Sequence, residues 1–163
     1  MTVAARQLVL IRHAKAEASG ASDEERRLST RGEGDARQIG RLLDEQGLSP
    51  DRVVLSPARR ARQTWKLAAT SVVDAPSPVI DDRIYVNTVD SLLEVIRATP
   101  AEIQTLVVVG HNPAFGSLAS AFDRALLAQD FPTSGVAVVS VNGDWASLVP
   151  DNATLTFFKA PRG

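Results

Sequence analysis

The residues able to do chemistry gather at three points of the chain. Arg12-His13 closes one apolar run (residues 8–11). Gly110-His111-Asn112-Pro113 closes another (106–109). Ser56-Pro57 closes a third (53–55) and leads into Arg59-Arg60. The chain has two histidines, and both fall at the carboxyl end of such a run. A guanidinium is a rigid fork that fits phosphate oxygens in pairs. A neutral imidazole is a competent nucleophile near pH 7. Two of each around one point would cage a tetrahedral dianion. One imidazole could then accept a phosphoryl group, which water removes in a second step, while the arginines hold charge on the equatorial oxygens. Two histidines could instead ligate a metal. However, no His-x-x-x-His or His-x-Asp spacing occurs, and such a site would need carboxylates that the pattern does not supply. No metal and no other cofactor is therefore expected. Arg59, Arg60 and Arg62 could equally form a solvated helix face.

Elements must bring these points together. The runs at 8–11, 53–55 and 106–109 are rich in branched residues and do not alternate with polar ones. Such runs suit strands buried on both faces. Between them lie amphipathic patterns. Residues 30–46 carry Ala36, Ile39, Gly40 and Leu43 on one face, with Ser29 or Thr30 as a cap, Thr30 and Glu33 at capping-box spacing, and Gly47 at the far end. Residues 57–70 carry Ala58, Ala61, Trp65 and Ala68, with Ser56 as N-cap and Pro57 at the first helical position. Residues 89–98 form a shorter helix. Asn112-Pro113 repeats the cap-then-proline signal before a helix carrying Phe115 and Leu118. The N-termini of the helices at Pro57 and Pro113 would then offer free N–H groups to an anion. Near the C-terminus, Val136, Val138 and Ser140 alternate, Asn142-Gly143 predicts a two-residue hairpin, and residues 153–158 predict a last strand. Loops are expected at 16–28, 71–88 and 129–135. The whole predicts a three-layer α/β/α sandwich, with a mostly parallel central sheet and an antiparallel strand near the C-terminus. In such sheets ligands bind beyond the carboxyl ends of the strands, where both histidines lie.

Composition limits the partners. The 163 residues fit a single domain, 1–163, and 44% apolar content supplies a core. Eighteen Lys and Arg against 19 Asp and Glu give a net charge of −1, so bulk attraction to nucleic acid or anionic membrane is not indicated. The absence of Cys excludes disulfides and thiolate catalysis. The N-terminal run, broken by Arg12, is too short to span a membrane and lacks the layout of a signal peptide, so a cytoplasmic location is expected. No coiled-coil pattern asks for a second copy; a monomer fits the sequence, which leaves the oligomeric state open.

The motifs, taken in order, resemble those of the histidine phosphatase, or phosphoglycerate mutase-like, superfamily. Leu10-Ile11-Arg12-His13-Ala14-Lys15 is similar to its signature, and Leu28-Ser29-Thr30-Arg31-Gly32 to the stretch that opens its first helix. Residues 56–64 (SPARRARQT) resemble its second-arginine motif and Gly110-His111-Asn112-Pro113 its second-histidine motif. Pro132-Thr133-Ser134-Gly135 and the Trp145 hairpin look like the C-terminal segment of its small members. The resemblance implies that His13 is the phosphorylated nucleophile, that Arg12 and Arg60 bind phosphate, and that His111 contacts the transferring group. Spacing alone does not separate Arg60 from Arg59. Lys15 and Asn112 sit beside matched positions and are expected to touch substrate. Only about fifty residues part the Arg60 motif from His111, too few for the capping insertion of larger members. That is similar to the SixA-type phosphohistidine phosphatases, and implies a phosphorylated protein as substrate. A phosphomonoesterase or mutase acting on a small phosphorylated metabolite is the alternative. A proton donor, where the family has one, would fall at Asp81 or Asp82. The same pair also reads as a solvated loop, and an imidazole leaving group needs little help from an acid.

Overall fold

The computed structural model describes residues 5–126 and 131–161. Six strands form one sheet: β1 (Arg6–Arg12), β2 (Arg52–Leu55), β3 (Val79–Ile80), β4 (Thr105–Gly110), β5 (Val136–Val141) and β6 (Ala153–Lys159), in the order β3-β2-β4-β1-β5-β6. Pairings among β1 to β4 are parallel; β5 runs antiparallel to both β1 and β6. The continuous apolar runs become the inner strands because both their faces are covered. Leu8, Leu10, Leu106 and Val108 point to one side, Val9, Ile11, Val107 and Val109 to the other, and all eight are wholly buried.

Helices α1 (Thr30–Glu45) and α2 (Arg59–Ala68) cover the second face through Ile39, Leu43, Ala61 and Trp65. Helices α4 (Val89–Arg97) and α5 (Ala114–Phe122) cover the first through Leu92, Ile96, Phe115 and Leu118; the single turn α3 (Arg83–Val86) adds Ile84. The expected three layers are present. The chain leaves β1 for one face and β4 for the other, although the two strands are neighbours. Their carboxyl ends therefore flank the crevice at which open α/β sheets bind ligands. No helix among the described residues is long and apolar enough to cross a membrane.

Four local expectations are corrected. α2 begins at Arg59 rather than Pro57, and its N-cap Ala58 makes no side-chain cap; Ser56 Oγ instead accepts the Ala58 N–H at 3.2 Å. Pro113 occupies the N-cap of α5 and follows a cis peptide bond, with Asn112 Oδ1 accepting from Gly116 N at 2.9 Å. Asn142-Gly143 does not close a two-residue hairpin. Asn142 N donates to Asn152 O at 2.8 Å, and the intervening chain folds through two short 3₁₀ turns. That detour buries Trp145 and Leu148, and Trp145 Nε1 donates to Ile103 O at 2.8 Å. Burial of two large apolar side chains, each giving about 1.5–3 kcal/mol, outweighs a local turn preference. The 71–88 stretch holds β3 and α3, elements too short to carry a periodic signal. The loop at 16–28 is irregular as expected, closed by an Ala16–Leu28 bridge. Of the 129–135 loop, Gln129 and Asp130 lie outside the described residues, as do residues 1–4 of the N-terminal reading.

Candidate active site

Strand register builds the site. Arg12 pairs with Gly110 across β1 and β4, so the next residue of each strand, His13 and His111, emerges beside the other. His13 N donates to Gly110 O at 3.0 Å, and the two ring centroids are 5.2 Å apart. β2 pairs Leu55 with Val109, which sets Ser56 next in the row. The turn through Ser134, a non-glycine residue at φ 63°, fixes the end of β1: Ser134 N donates to the carbonyls of Arg12 and His13, each at 3.1 Å.

Arg12, His13, Arg60 and His111 line one cavity of about 270 Å³, together with Lys15 and Asn112. All six residues singled out for catalysis or substrate contact are therefore brought together. Arg59 is not among them; it lines a separate hollow with Ser19, Gly20 and Glu25. The helix turns Arg60 inward, where it is 6% exposed. Asp81 and Asp82 do not line this cavity. The Asp81 carboxylate is spent on Arg83 at 2.7 Å, which holds it below its ordinary range, and Asp82 faces Glu24, Pro57 and Tyr85. At both helix starts the leading N–H groups already have partners within the chain. At α2 the Ala58 and Arg59 N–H go to Ser56 Oγ and Glu24 O. At α5 the Ala114, Phe115 and Gly116 N–H go to Asn87 Oδ1, His111 O and Asn112 Oδ1.

Polar partners set the state of each group. His13 Nδ1 lies 2.8 Å from the Ala14 carbonyl. A carbonyl only accepts, so Nδ1 carries the proton and Nε2 keeps its lone pair. Burial pushes His13 down to about 3, with His111, Arg60 and Arg12 adding to the fall and the Ala14 carbonyl opposing it. Burial, then Arg60, pushes His111 down to about 4. Both imidazoles are neutral at pH 7. His111 Nε2 is 2.7 Å from Ser56 Oγ. Arg12 Nη1 donates to Phe131 O at 3.0 Å. Arg60 Nη1 and Nη2 donate to Asp23 O and Oδ2, at 2.8 and 3.2 Å. Three nitrogens around the cavity, Arg12 Nε, Arg60 Nε and His111 Nδ1, are buried without a hydrogen-bond partner among the described residues. Buried donors are seldom left unpaired, because doing so costs about 1–3 kcal/mol each.

Sequence reasoning missed Arg26 and Asn87, which also line the cavity. Asn87 sits at φ 65° and donates from Nδ2 to Asn112 O at 2.6 Å. It thus ties the 81–88 segment to the turn that carries His111. Arg26 sits in the irregular 16–28 loop. No periodic pattern marks either residue.

Comparison with known proteins finds a family. The family profile of the histidine phosphatase superfamily (branch 1) matches residues 8–84. An uncharacterized protein of Mycobacterium tuberculosis is 38% identical over 162 residues, covering 93% of this chain and all of that one. Among solved structures, a proposed phosphohistidine phosphatase SixA from Nakamurella multipartitia superposes with a TM-score of 0.84 at 30% identity, covering 99% of each chain. A protein histidine phosphatase SixA complexed with tungstate gives 0.82 at 25% identity, over 96% of this chain and 97% of that one. Sequence and fold thus agree: the chain belongs to the histidine phosphatase superfamily and is a phosphatase.

Proposed function

We propose that this phosphatase removes phosphoryl groups from phosphohistidine on a protein partner, through a phosphoenzyme formed on His13. The observation that carries the reading is the set of unpaired buried nitrogens. Arg12 Nε, Arg60 Nε and His111 Nδ1 belong to residues that line the cavity, as does His13, whose Nε2 keeps a free lone pair. A tetrahedral oxyanion would satisfy all three.

In the first step His13 Nε2 forms a bond to phosphorus while the bond from phosphorus to the substrate imidazole breaks. That electron pair stays on the departing nitrogen, which takes a proton from water. In the second step water attacks phosphorus, the bond to His13 breaks, phosphate leaves, and the imidazole returns neutral. With Ser56 O–H donating to His111 Nε2, neutral His111 carries its proton on Nδ1 and donates it to a phosphoryl oxygen. The low values of both imidazoles suit this chemistry, since nucleophilic His13 needs no prior deprotonation near pH 7.

Two features favour a protein over a small metabolite. Between Arg60 and His111 the chain spends its residues on β3, α3, α4 and β4, and α4 is packed on the sheet, so this segment holds no insertion to roof the cavity. Among the described residues its walls are Arg, Lys, His, Asn, Thr and Ala, with no large apolar side chain to recognise the rest of a metabolite. Neither Asp81 nor Asp82 lines it as an acid, which suits an imidazole leaving group better than an alcohol. The similar structure of SixA with tungstate is that of a protein histidine phosphatase, which supports the same substrate class.

The test is turnover of a histidine-phosphorylated protein beside a panel of phosphorylated metabolites, all in excess chelator. Expected are preference for the phosphohistidine protein and an acid-labile, base-stable phosphoenzyme, both lost in His13→Ala. Wild-type turnover by that variant, or a higher kcat/KM for a metabolite, would overturn the proposal.

A further inference from the structure

Asp23 lies in the irregular loop at 16–28, is half-exposed, and belongs to no motif. Yet its contacts converge on the site. Oδ2 accepts from Tyr85 O–H at 2.5 Å and from Arg60 Nη2 at 3.2 Å. Its carbonyl accepts from Arg60 Nη1 at 2.8 Å. Oδ1 takes Arg26, from Nε at 3.1 Å and Nη2 at 3.0 Å. Both terminal nitrogens of Arg60 are thus held by one residue 37 positions away, and so is the fork of the other arginine that enters the cavity from this loop.

We infer that Asp23 is a positioning residue: it aims the Arg60 and Arg26 guanidinium groups at the transferring phosphoryl group and pins the loop to Tyr85 across the site. This rests on the phosphoryl-binding reading of the cavity above. Arg60 is buried, and a buried guanidinium needs a counter-charge that also fixes its plane. Asp23 gives it the ion pair found for it among the described residues. The Arg60 nitrogen that Asp23 does not use, Nε, is buried and unpaired among the described residues, in a side chain that lines the cavity. The carboxylate therefore orients the donor without consuming it. Arg26 is fixed in the same way: its Nη1 goes to Glu17 O at 3.0 Å and the rest of its fork to Asp23. The Tyr85 hydroxyl, followed by Arg26 and Arg60, holds the Asp23 carboxyl down to about 2, so it is charged at any working pH. That state also disqualifies it as a proton donor. The loop has other ties, notably Arg59 N to Glu24 O at 2.8 Å, so removing Asp23 loosens its inner contacts without releasing the whole segment.

The experiment compares wild type, Asp23→Ala and Asp23→Asn in three measurements: steady-state turnover of an aryl phosphate, tungstate affinity by calorimetry, and the rate of tryptic cleavage after Arg26. Expected for Asp23→Ala are a KM and a tungstate Kd raised at least about tenfold, and faster cleavage after Arg26. Asp23→Asn, which keeps an accepting oxygen, should fall between the two. A merely structural Asp23 would lower the melting temperature or the active fraction and leave KM and Kd of the surviving enzyme at wild-type values. That result overturns the inference. So does tighter tungstate binding in Asp23→Ala, because the carboxylate would then compete with the anion. If wild type itself neither turns over nor binds tungstate, the phosphatase cavity reading falls instead. Cleavage after Arg26 still judges the contact in that case, and equal rates in wild type and Asp23→Ala overturn it.

Discussion

Two neutral imidazoles buried in one crevice should make the fold lose stability on mild acidification, well above the range where carboxylates titrate. His13 is 8% exposed and His111 5%, and their rings stand 5.2 Å apart between Arg12 and Arg60. In the unfolded chain each titrates near 6.5; in the fold burial takes them to about 3 and about 4. Between those values the unfolded chain binds more protons than the native one, so stability falls as pH falls through the window. From pH 7 to pH 5 each histidine forfeits about 2 kcal/mol, at about 1.4 kcal/mol per pH unit below 6.5, and the pair about 4 kcal/mol. That is a large share of a domain stability of about 5–15 kcal/mol. The Asp23 carboxyl, held at about 2 against an ordinary 3.8, has the opposite sense: its stabilisation is present above 3.8 and is lost only as pH drops through the folded value, outside this window. The assay is urea unfolding at half-unit steps from pH 7 to pH 5 for wild type and for His13→Gln/His111→Gln. The double variant has no histidine left, so its profile should be nearly flat. Tungstate should also flatten the wild-type slope, because a bound dianion favours imidazolium. A wild-type slope near zero, or an equal slope in the double variant, would refute the claim that both rings are buried neutral.

What the sequence could reveal depended on how each residue is tied to the chain. His13 and His111 were legible because the apolar runs that end in them can form only strands covered on both faces, and the register of two such strands does the rest. The layers were legible for the same reason. Arg60 was separable from Arg59 only through the family resemblance: adjacent residues at a helix start look alike until packing turns one inward and leaves the other beside Gly20 and Glu25. Asp23, Arg26, Tyr85 and Asn87 left no trace in any pattern. The contacts of Asp23, Tyr85 and Asn87 link irregular segments to the site across 25 to 62 residues, and such pairings follow from tertiary closure rather than from local preference. The Asn142-Gly143 turn failed in the opposite sense. Its local signal was strong, but burying Trp145 and Leu148 was worth more.

Two further outcomes follow from close approach and from orientation. Arg60→Ala should lower kcat/KM by about 10²–10³, and Arg60→Lys should recover little because an ammonium cannot reproduce the fork; Arg59→Ala, facing its separate hollow, should stay within about twofold, and equal losses at the two positions would refute the orientation of α2. The glycines of α1 give a sharper contrast. Gly34 is exposed with open space where a Cβ would stand, so Gly34→Ala should stabilise by about 0.5–1 kcal/mol through helix propensity alone. A Cβ at Gly32 would lie 2.0 Å from the Lys15 carbonyl oxygen, the same oxygen that accepts from Ser29 N at 2.9 Å and Ser29 Oγ at 3.1 Å. The obstacle is backbone that cannot swing aside, so Gly32→Ala should cost about 1–3 kcal/mol in urea unfolding despite the same propensity gain. Lys15 lines the cavity two residues after His13, and the displaced segment should carry the damage into the site, seen as a raised KM for an aryl phosphate. Were Gly32→Ala to match Gly34→Ala in both stability and KM, α1 would not press on the segment that holds His13, and the mechanical link between the helix-opening motif and the site would be lost.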